Sequence, residues 1–328
     1  MPRQNLFTLS FLVVGLSGGV NAQPDSGWVN ARTADGQPDL QGVWINPTIT
    51  PIERPAALAE KEFLTDDEIA AMEARTAANR ARAEANINVA AGGNIGGYNQ
   101  FWLDSGDTVL STGQTSLIVD PPNGRAPIRA SAEAVRDYGF AHIEDNYIYH
   151  SVWDRCITRG VPGSMLPAGY NNAYRIIQTP DTVTIIYEMI HDVRVIPLKK
   201  RTHIDPKIKL WMGDSVAYWE GETLVIETTN FNDRGMIASS MAGGRLKGVP
   251  VTEELHVMER FTRVSQDTII WEATVTDPEI YTQPFTISMP LTHDPEYVMY
   301  EYACHEGNHA IFNILSAGRA AEHLQAQQ

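Results

Sequence analysis

From Phe101 onward, apolar and polar residues alternate in short runs bounded by turn formers, the period of half-buried β-strands. Three runs open alike: Pro180-Asp181-Thr182-Val183-Thr184-Ile185, Gly221-Glu222-Thr223-Leu224-Val225-Ile226 and Gln266-Asp267-Thr268-Ile269-Ile270-Trp271. In each, a turn ending in an acidic residue and Thr leads into β-branched and apolar positions. The regular spacing raises a propeller, but no blade signature accompanies it, and repeated hairpin turn chemistry accounts for it more simply. Further strands are predicted at 187–198, 215–219, 255–264, 285–289 and 297–304. Consecutive strands with almost no long helix between them predict a mainly β chain, an antiparallel up-and-down barrel of the calycin or lipocalin kind. A β-sandwich is the alternative.

The pattern changes towards both ends. Residues 23–60 are rich in Pro, Gly, Asn and Asp, with Trp28 and Trp44 among them, and predict an extended arm over the body. Leu64-Thr65-Asp66-Asp67-Glu68 opens a helix with a capping box, Thr65 with Glu68, running to about Asn86. The Gly-rich stretch 88–98 lacks a strand before it, a helix after it and a following Lys, so it is not a phosphate loop. Residues 310–328 predict a terminal helix with Ile311, Ile314 and Leu315 on one face. The expected organisation is a signal peptide at 1–22, an arm and helix at 23–97, and a barrel domain with terminal helix at 98–328.

The first segment reads as an export signal. Arg3 supplies its positive end, residues 6–20 a short apolar region, and Val20-Asn21-Ala22 the small residues before a cut. That apolar run is too short and too broken by Gly and Ser to span a membrane, and no later run is longer. The mature chain is therefore expected in the periplasm or outside the cell. In an oxidising compartment the two cysteines, Cys156 and Cys304, are most simply one disulfide, with two free thiols as the alternative. A formal charge of −15 makes phosphate backbones and anionic lipid poor partners. With 43% hydrophobic residues the chain can bury a substantial core, and the expected barrel can hold a small molecule as ligand or substrate.

Candidate chemistry begins with His305-Glu306-Gly307-Asn308-His309, which matches the H-E-x-x-H pattern of zinc hydrolases. That pattern needs both histidines one turn apart on a helix, whereas a predicted strand precedes it and Gly307-Asn308 favours a strand-to-helix corner. Zinc held by His305 and His309 is thus the alternative, and no cofactor the main expectation. Mid-strand acids Glu188, Glu227, Glu259, Glu272 and Glu301 sit among apolar neighbours. Pointing inward they would make a polar, ligand-sized interior; pointing outward they would simply face water. On a continuous strand, His191 and Asp192 face opposite sides, with Glu188, Asp192 and Arg194 sharing one. His191 is a catalytic candidate or a satisfied core histidine.

If the disulfide forms, it draws Arg155, Tyr170, Asn171, Asn172, Tyr302, His305 and Glu306 towards one rim. An Arg or Asn neutralising an oxyanion, with His or Tyr as proton carrier, suits elimination, isomerisation or general-base hydrolysis. Substrate contacts are then expected from Arg155, Tyr170, Asn171, Asn172, Tyr302 and Glu188, and catalysis from His305 or His191 with Glu306 or Asp192. There is no G-x-S-x-G elbow, no C-x-x-C-H haem site and no C-x-x-C pair. His142 and His150, flanking Tyr147-Ile148-Tyr149, read as structural or surface residues.

Leu40-Gln41-Gly42-Val43-Trp44, Ser116-Leu117-Ile118-Val119-Asp120-Pro121-Pro122, Arg155-Cys156-Ile157-Thr158-Arg159-Gly160, Glu188-Met189-Ile190-His191-Asp192, Trp219-Glu220-Gly221-Glu222-Thr223-Leu224-Val225 and Tyr302-Ala303-Cys304-His305-Glu306-Gly307-Asn308 together resemble a large group of exported bacterial proteins. The resemblance spans most of the chain after the signal and implies a compartment and a fold, but no reaction. In that group an aromatic residue often stands at the place of His309, which weighs against zinc. The expectation is an exported enzyme acting on a small, partly hydrophobic or aromatic molecule by metal-independent acid-base chemistry. Lyase, isomerase and hydrolase stay open, and zinc hydrolysis or lipocalin-like binding without catalysis are the alternatives.

Overall fold

Ten strands pair into one antiparallel sheet that curls into a nearly closed barrel in the computed structural model, which describes residues 28–85, 103–198 and 202–327. The expected signal at 1–22 and the Gly-rich stretch 88–98 lie outside the described residues. The strands are β1 (Gly42–Ile45), β2 (Ile118–Asp120), β3 (Ala173–Gln178), β4 (Thr182–Tyr187), β5 (Val193–Pro197), β6 (Asp214–Glu220), β7 (Thr223–Thr229), β8 (His256–Ser265), β9 (Thr268–Thr276) and β10 (Phe285–His293). β3 to β5 and β6 to β10 are each an up-and-down meander. β1, from the expected N-terminal arm, joins the two by pairing with β3 on one side and the end of β10 on the other. β2 pairs with the start of β10.

Period-two alternation puts one face of each strand inside. Along β9, Ile269, Trp271, Ala273 and Val275 are fully buried while the residues between them are half-buried. Trp271 stands in register with Phe261 of β8 and Met289 of β10, so the three occupy the same face of the sheet. Fully burying a side chain such as Phe261 or Phe285 contributes roughly 1.5–3 kcal/mol. Together with Trp44, Tyr174 and Tyr187, these residues fill the interior. The polar interior expected from mid-strand acids exists at one place, where Glu259 is buried against Arg194. Glu188 is buried as well, Glu227 and Glu272 are half-buried, and Glu301 is exposed.

β5 and β6 lie side by side at the seam without a ladder between them. Arg194 crosses the seam instead: its guanidinium donates to Ser215 Oγ (2.9 Å) on β6, Thr228 Oγ1 (3.1 Å) on β7 and the Tyr187 hydroxyl (3.1 Å). Burial works against the Arg194 charge, but the neighbouring Glu259 carboxylate outweighs it and holds the guanidinium above its usual range. Burial also pushes the Tyr187 hydroxyl up to about 12.

Two expected strands take other forms. The stretch 187–198 is broken: β4 ends at Tyr187, a 3-10 turn covers Met189–His191, and β5 begins at Val193. Ile190 (φ +66°) and His191 (φ +46°) make the reversal, closed by Tyr187 N–H donating to Asp192 C=O at 2.9 Å. The chain therefore turns back where its apolar alternation runs on, and assigning Glu188, Asp192 and His191 to strand faces does not apply. The stretch 297–304 is an irregular strap, because its amides bond within local turns and to the Glu188 side chain instead of entering a ladder.

Among the described residues three α-helices flank the barrel: α1 (Asp66–Ala85), α2 (Ala130–Ala141) and α3 (Ala310–Ala326). The capping box forms, with Thr65 N–H donating to Glu68 Oε2 (2.8 Å) and Glu68 N–H to Thr65 Oγ1 (3.4 Å). α2 interrupts a region whose pattern predicts continuous β-structure. Arg245 clamps it to the body, donating to Glu133 of α2 (2.8 Å) and to Glu53 (3.0 Å). α3 packs through Ile311, Leu315 and Gly318, with Ile314 turned outward. No helix among the described residues is long and apolar enough to cross a membrane.

Candidate functional site

The disulfide expected between Cys156 and Cys304 is formed, with 148 residues of sequence separation. It fastens the strap to the 153–160 loop, and Asn308 Nδ2 donates to Asp154 C=O at 3.0 Å beside it. Around the bond the aromatic rings interlock. Tyr170 stacks on Tyr302 with centroids 6.1 Å apart and hydroxyls at 3.5 Å, and Trp153 tilts against Tyr170 at 5.9 Å. Beneath them Arg159, buried, lies 5.5 Å from the Trp153 ring centre and donates to Leu166 C=O. Burial lowers its guanidinium from the usual range, offset in part by Tyr174 and Tyr170.

Four non-glycine residues with left-handed φ gather at this end: Cys156, Asn171, Ile190 and His191. A β-branched residue such as Ile190 adopts that region only when its surroundings impose it, and such strain of order 1–3 kcal/mol tends to sit at functional sites.

On one side of the strap is a cleft of about 210 Å³ lined by Arg175, Glu188, His191, Met299, Tyr300 and Glu301, with Ile186 and Tyr187 at its base. Glu188 is buried and accepts from Tyr297 Oη (2.8 Å) and Tyr300 N–H (3.3 Å). Burial and the Glu188 charge both push the Tyr297 hydroxyl upward. His191 is exposed, with Nδ1 2.8 Å from Tyr302 C=O. A carbonyl only accepts, so Nδ1 carries the proton and, in the neutral ring, Nε2 is the basic nitrogen. Close by, burial raises the Asp104 carboxyl above its usual range and Glu188 adds to the shift. No residue pattern in the sequence marks Asp104.

The remaining residues expected at this rim divide differently. Asn172 is fully committed to structure: its Oδ1 accepts from Ala168 N–H (2.7 Å) and its Nδ2 donates to Asp104 C=O (2.7 Å) and Ala168 C=O (3.0 Å). It therefore cannot serve as an electrostatic clamp. Asn171 supplies a left-handed turn position beside it. Asp192 accepts from Thr158 Oγ1 at 2.7 Å and holds the 153–160 loop to the start of β5. His305 and Glu306 are exposed. Gly307 (φ +70°) turns the chain, and α3 starts only at Ala310. His305 and His309 therefore do not occupy successive turns of one helix, the arrangement a zinc hydrolase needs. Among the described residues no group of three His, Cys, Asp or Glu is placed to hold a metal ion.

Arg155 belongs to a second and larger cleft, of about 690 Å³, outside the barrel. One wall is α2, with Val135, Tyr138 and Phe140; another is the Tyr147–Tyr149 turn; Trp211, Met236 and Pro250 complete it. Tyr138 stacks on His142 (3.9 Å) and meets Tyr149 edge-on (5.8 Å), so the aromatic wall is preformed. The Arg155 guanidinium lies 5.6 Å from the Tyr147 ring centre and 5.8 Å from that of Trp211. The aromatic cluster 147–149 is visible in the sequence, where only the flanking His142 and His150 are read, as structural or surface residues. Its partners Tyr138 and Trp211 are not linked to it by any spacing.

No family model matches the chain, and no curated protein matches it. Among solved structures, a point mutant of the fluorescent protein UnaG is similar over 38% of this chain and 72% of its own, at 12% identity and a TM-score of 0.23. A match of that size assigns neither fold nor function, and the barrel stands on its own strand pairing.

Proposed function

We propose that this chain is an exported small-molecule-binding protein that takes a small, partly aromatic ligand in the cleft between α2, the 147–149 turn and Trp211. The observation that carries this reading is the cleft itself. Its volume, about 690 Å³, falls within the roughly 300–1,000 Å³ of ordinary ligand sites. Its walls are mainly aromatic and apolar with a few charged groups, the composition that such sites share. The barrel interior, filled by Trp44, Trp271, Phe261 and their neighbours, makes an outer site the better supported place. Export rests on the Cys156–Cys304 bond, since disulfides persist in oxidising compartments, and on the segments that resemble exported bacterial proteins. Titration with bicyclic aromatic compounds, followed by Trp fluorescence, tests the reading. Saturable one-site binding that Trp211→Leu weakens supports it; binding untouched by Trp211→Leu and by Tyr138→Ala overturns it.

A second reading, acid-base turnover, is favoured by one observation in the smaller cleft. Nε2 of His191 is left as the basic nitrogen beside Arg175 and the buried Glu188, on a strained turn. His191 would move the proton and Arg175 would stabilise developing negative charge. If a compound found to bind is also turned over, His191→Gln abolishes turnover under this reading and leaves binding in the larger cleft intact. Turnover that survives the substitution excludes it.

A further inference from the structure

Three arginines and one acid face the larger cleft: Arg136, Arg155, Arg234 and Asp233. Arg136 is occupied, with its guanidinium bonded to Asp137 and donating to Arg245 C=O (2.8 Å). Arg155 is different. Its guanidinium rests between the Tyr147 and Trp211 rings, and among the described residues it has no carboxylate partner and donates no side-chain hydrogen bond. In a chain with 40 acidic and 25 basic side chains, an arginine can find a carboxylate easily. One that is half-buried at a cleft wall and unpaired keeps a donor edge free to bond an incoming acceptor. Arg234, exposed across the same cleft, likewise has no ion-pair partner among the described residues.

Burial lowers the Arg155 guanidinium from its usual range, with only Tyr147 offsetting the effect. An arginine nonetheless stays charged at any pH a protein survives. Its charge is therefore held partly out of water and uncompensated, a cost that an incoming anion removes. The guanidinium is a planar, pre-organised fork, so less side-chain freedom is lost per hydrogen bond when it pairs.

We infer that the ligand of this cleft is an aromatic carboxylate, its ring against Tyr138, Phe140 and Trp211 and its carboxylate on the Arg155 fork. The inference rests on the cleft being a ligand site and adds the chemical class. Arginine and carboxylate match as two parallel N–H···O bonds, a geometry that neither a neutral aromatic nor an amine can use.

The test compares 2-naphthoate with 2-naphthalenemethanol, which share a ring system and differ in charge, on the full chain and on Arg155→Gln. Naphthoate is expected to bind about tenfold or more tighter than the alcohol, the effect of a charge-assisted hydrogen bond. In Arg155→Gln the ratio of the two affinities is expected to fall to about one, whatever the change in the absolute affinity of the alcohol. A measurement on the unaltered protein backs up the variant: acidification that protonates naphthoate itself weakens naphthoate binding and spares the alcohol. Equal binding of the two compounds, or a naphthoate preference that survives Arg155→Gln, overturns the carboxylate assignment and leaves the cleft as a ligand site. Failure of both compounds to bind overturns the ligand site and the assignment with it.

Discussion

The guanidinium of Arg194 and the carboxylate of Glu259 meet at 2.7 Å across the barrel interior, from β5 to β8, with side chains 4% and 0% exposed. Glu259 also accepts from Trp271 Nε1 at 3.2 Å, and Arg194 reaches Ser215 and Thr228 across the one seam that has no ladder. The pair thus ties the centre of the hydrophobic core to the place where the sheet fails to close.

Removing one partner leaves a buried charge uncompensated, which costs about 3–5 kcal/mol, whereas replacing both by apolar residues of similar size is often close to neutral. Glu259→Leu alone should lower unfolding stability in urea by that amount. Arg194→Met with Glu259→Leu should recover most of the loss, unless Arg194 is also needed to hold the seam. A double variant as unstable as the single one would show that the Ser215 and Thr228 contacts, and not the ion pair, carry the stabilisation.

The Cys156–Cys304 bond closes a loop with 148 residues of separation and fixes the strap that borders the smaller cleft. Cross-linking so long a loop contributes about 2–5 kcal/mol, chiefly by restricting the unfolded chain. Cys304→Ser, or reduction of the native protein, should lower the thermal midpoint, and amide exchange should rise first in the strap and in the 153–160 loop. Equal midpoints with and without reductant would contradict this.

The turn chemistry of the sequence is sufficient for much of the barrel. The three acidic-Thr starts open β4, β7 and β9, because a hairpin turn followed by β-branched residues is a local instruction that tertiary structure does not override. The cap of α1 and the disulfide are legible for similar reasons, one being a four-residue pattern and the other the pairing of two cysteines. The turn at Ile190–His191 is not, since no Gly, Asn or Pro marks it and its left-handed residues are imposed by packing. α2 is hard to read because its N-cap position, Arg129, makes no side-chain cap and its sequence is dominated by Ala and short polar runs. The larger cleft is invisible in the sequence. It is assembled from α2, the 147–149 turn, Arg155, Trp211 and the 233–250 region, and only the fold brings these together.

Glu68 links the capping box to pH. The Lys61 ammonium, 2.6 Å from Glu68 Oε1, and the Thr65 amide hold the Glu68 carboxyl down at about 2. A carboxyl with a lowered folded pKa stabilises the folded state once pH exceeds its unfolded value near 4.5. That contribution is lost as pH falls from there towards about 2. Amide exchange in the first turn of α1 should therefore accelerate in that window, and Thr65→Ala or Lys61→Met should move the acceleration to higher pH. An unchanged profile in both variants would remove the cap from the account.

Gly248 in the wall of the larger cleft lies close against Phe140. Its φ is +76°, and a Cβ placed there would lie 2.7 Å from Phe140 Cζ and 3.1 Å from Cε1. Two separable penalties follow for Gly248→Ala. The backbone penalty, roughly 1–2 kcal/mol for a left-handed residue with a side chain, persists whatever stands opposite. The steric penalty depends on Phe140 and is relieved by moving its ring, which is the far end of a side chain and sits 42% exposed on the cleft wall. Gly248→Ala should therefore lower the thermal midpoint and also change the affinity of 2-naphthalenemethanol, since the displaced ring alters the surface that the probe contacts. In a Phe140→Leu background the same substitution should still cost stability but have a smaller effect on affinity. Full additivity of the two changes in affinity would mean that Gly248 and Phe140 act independently, and that the close approach between them does not shape the cleft.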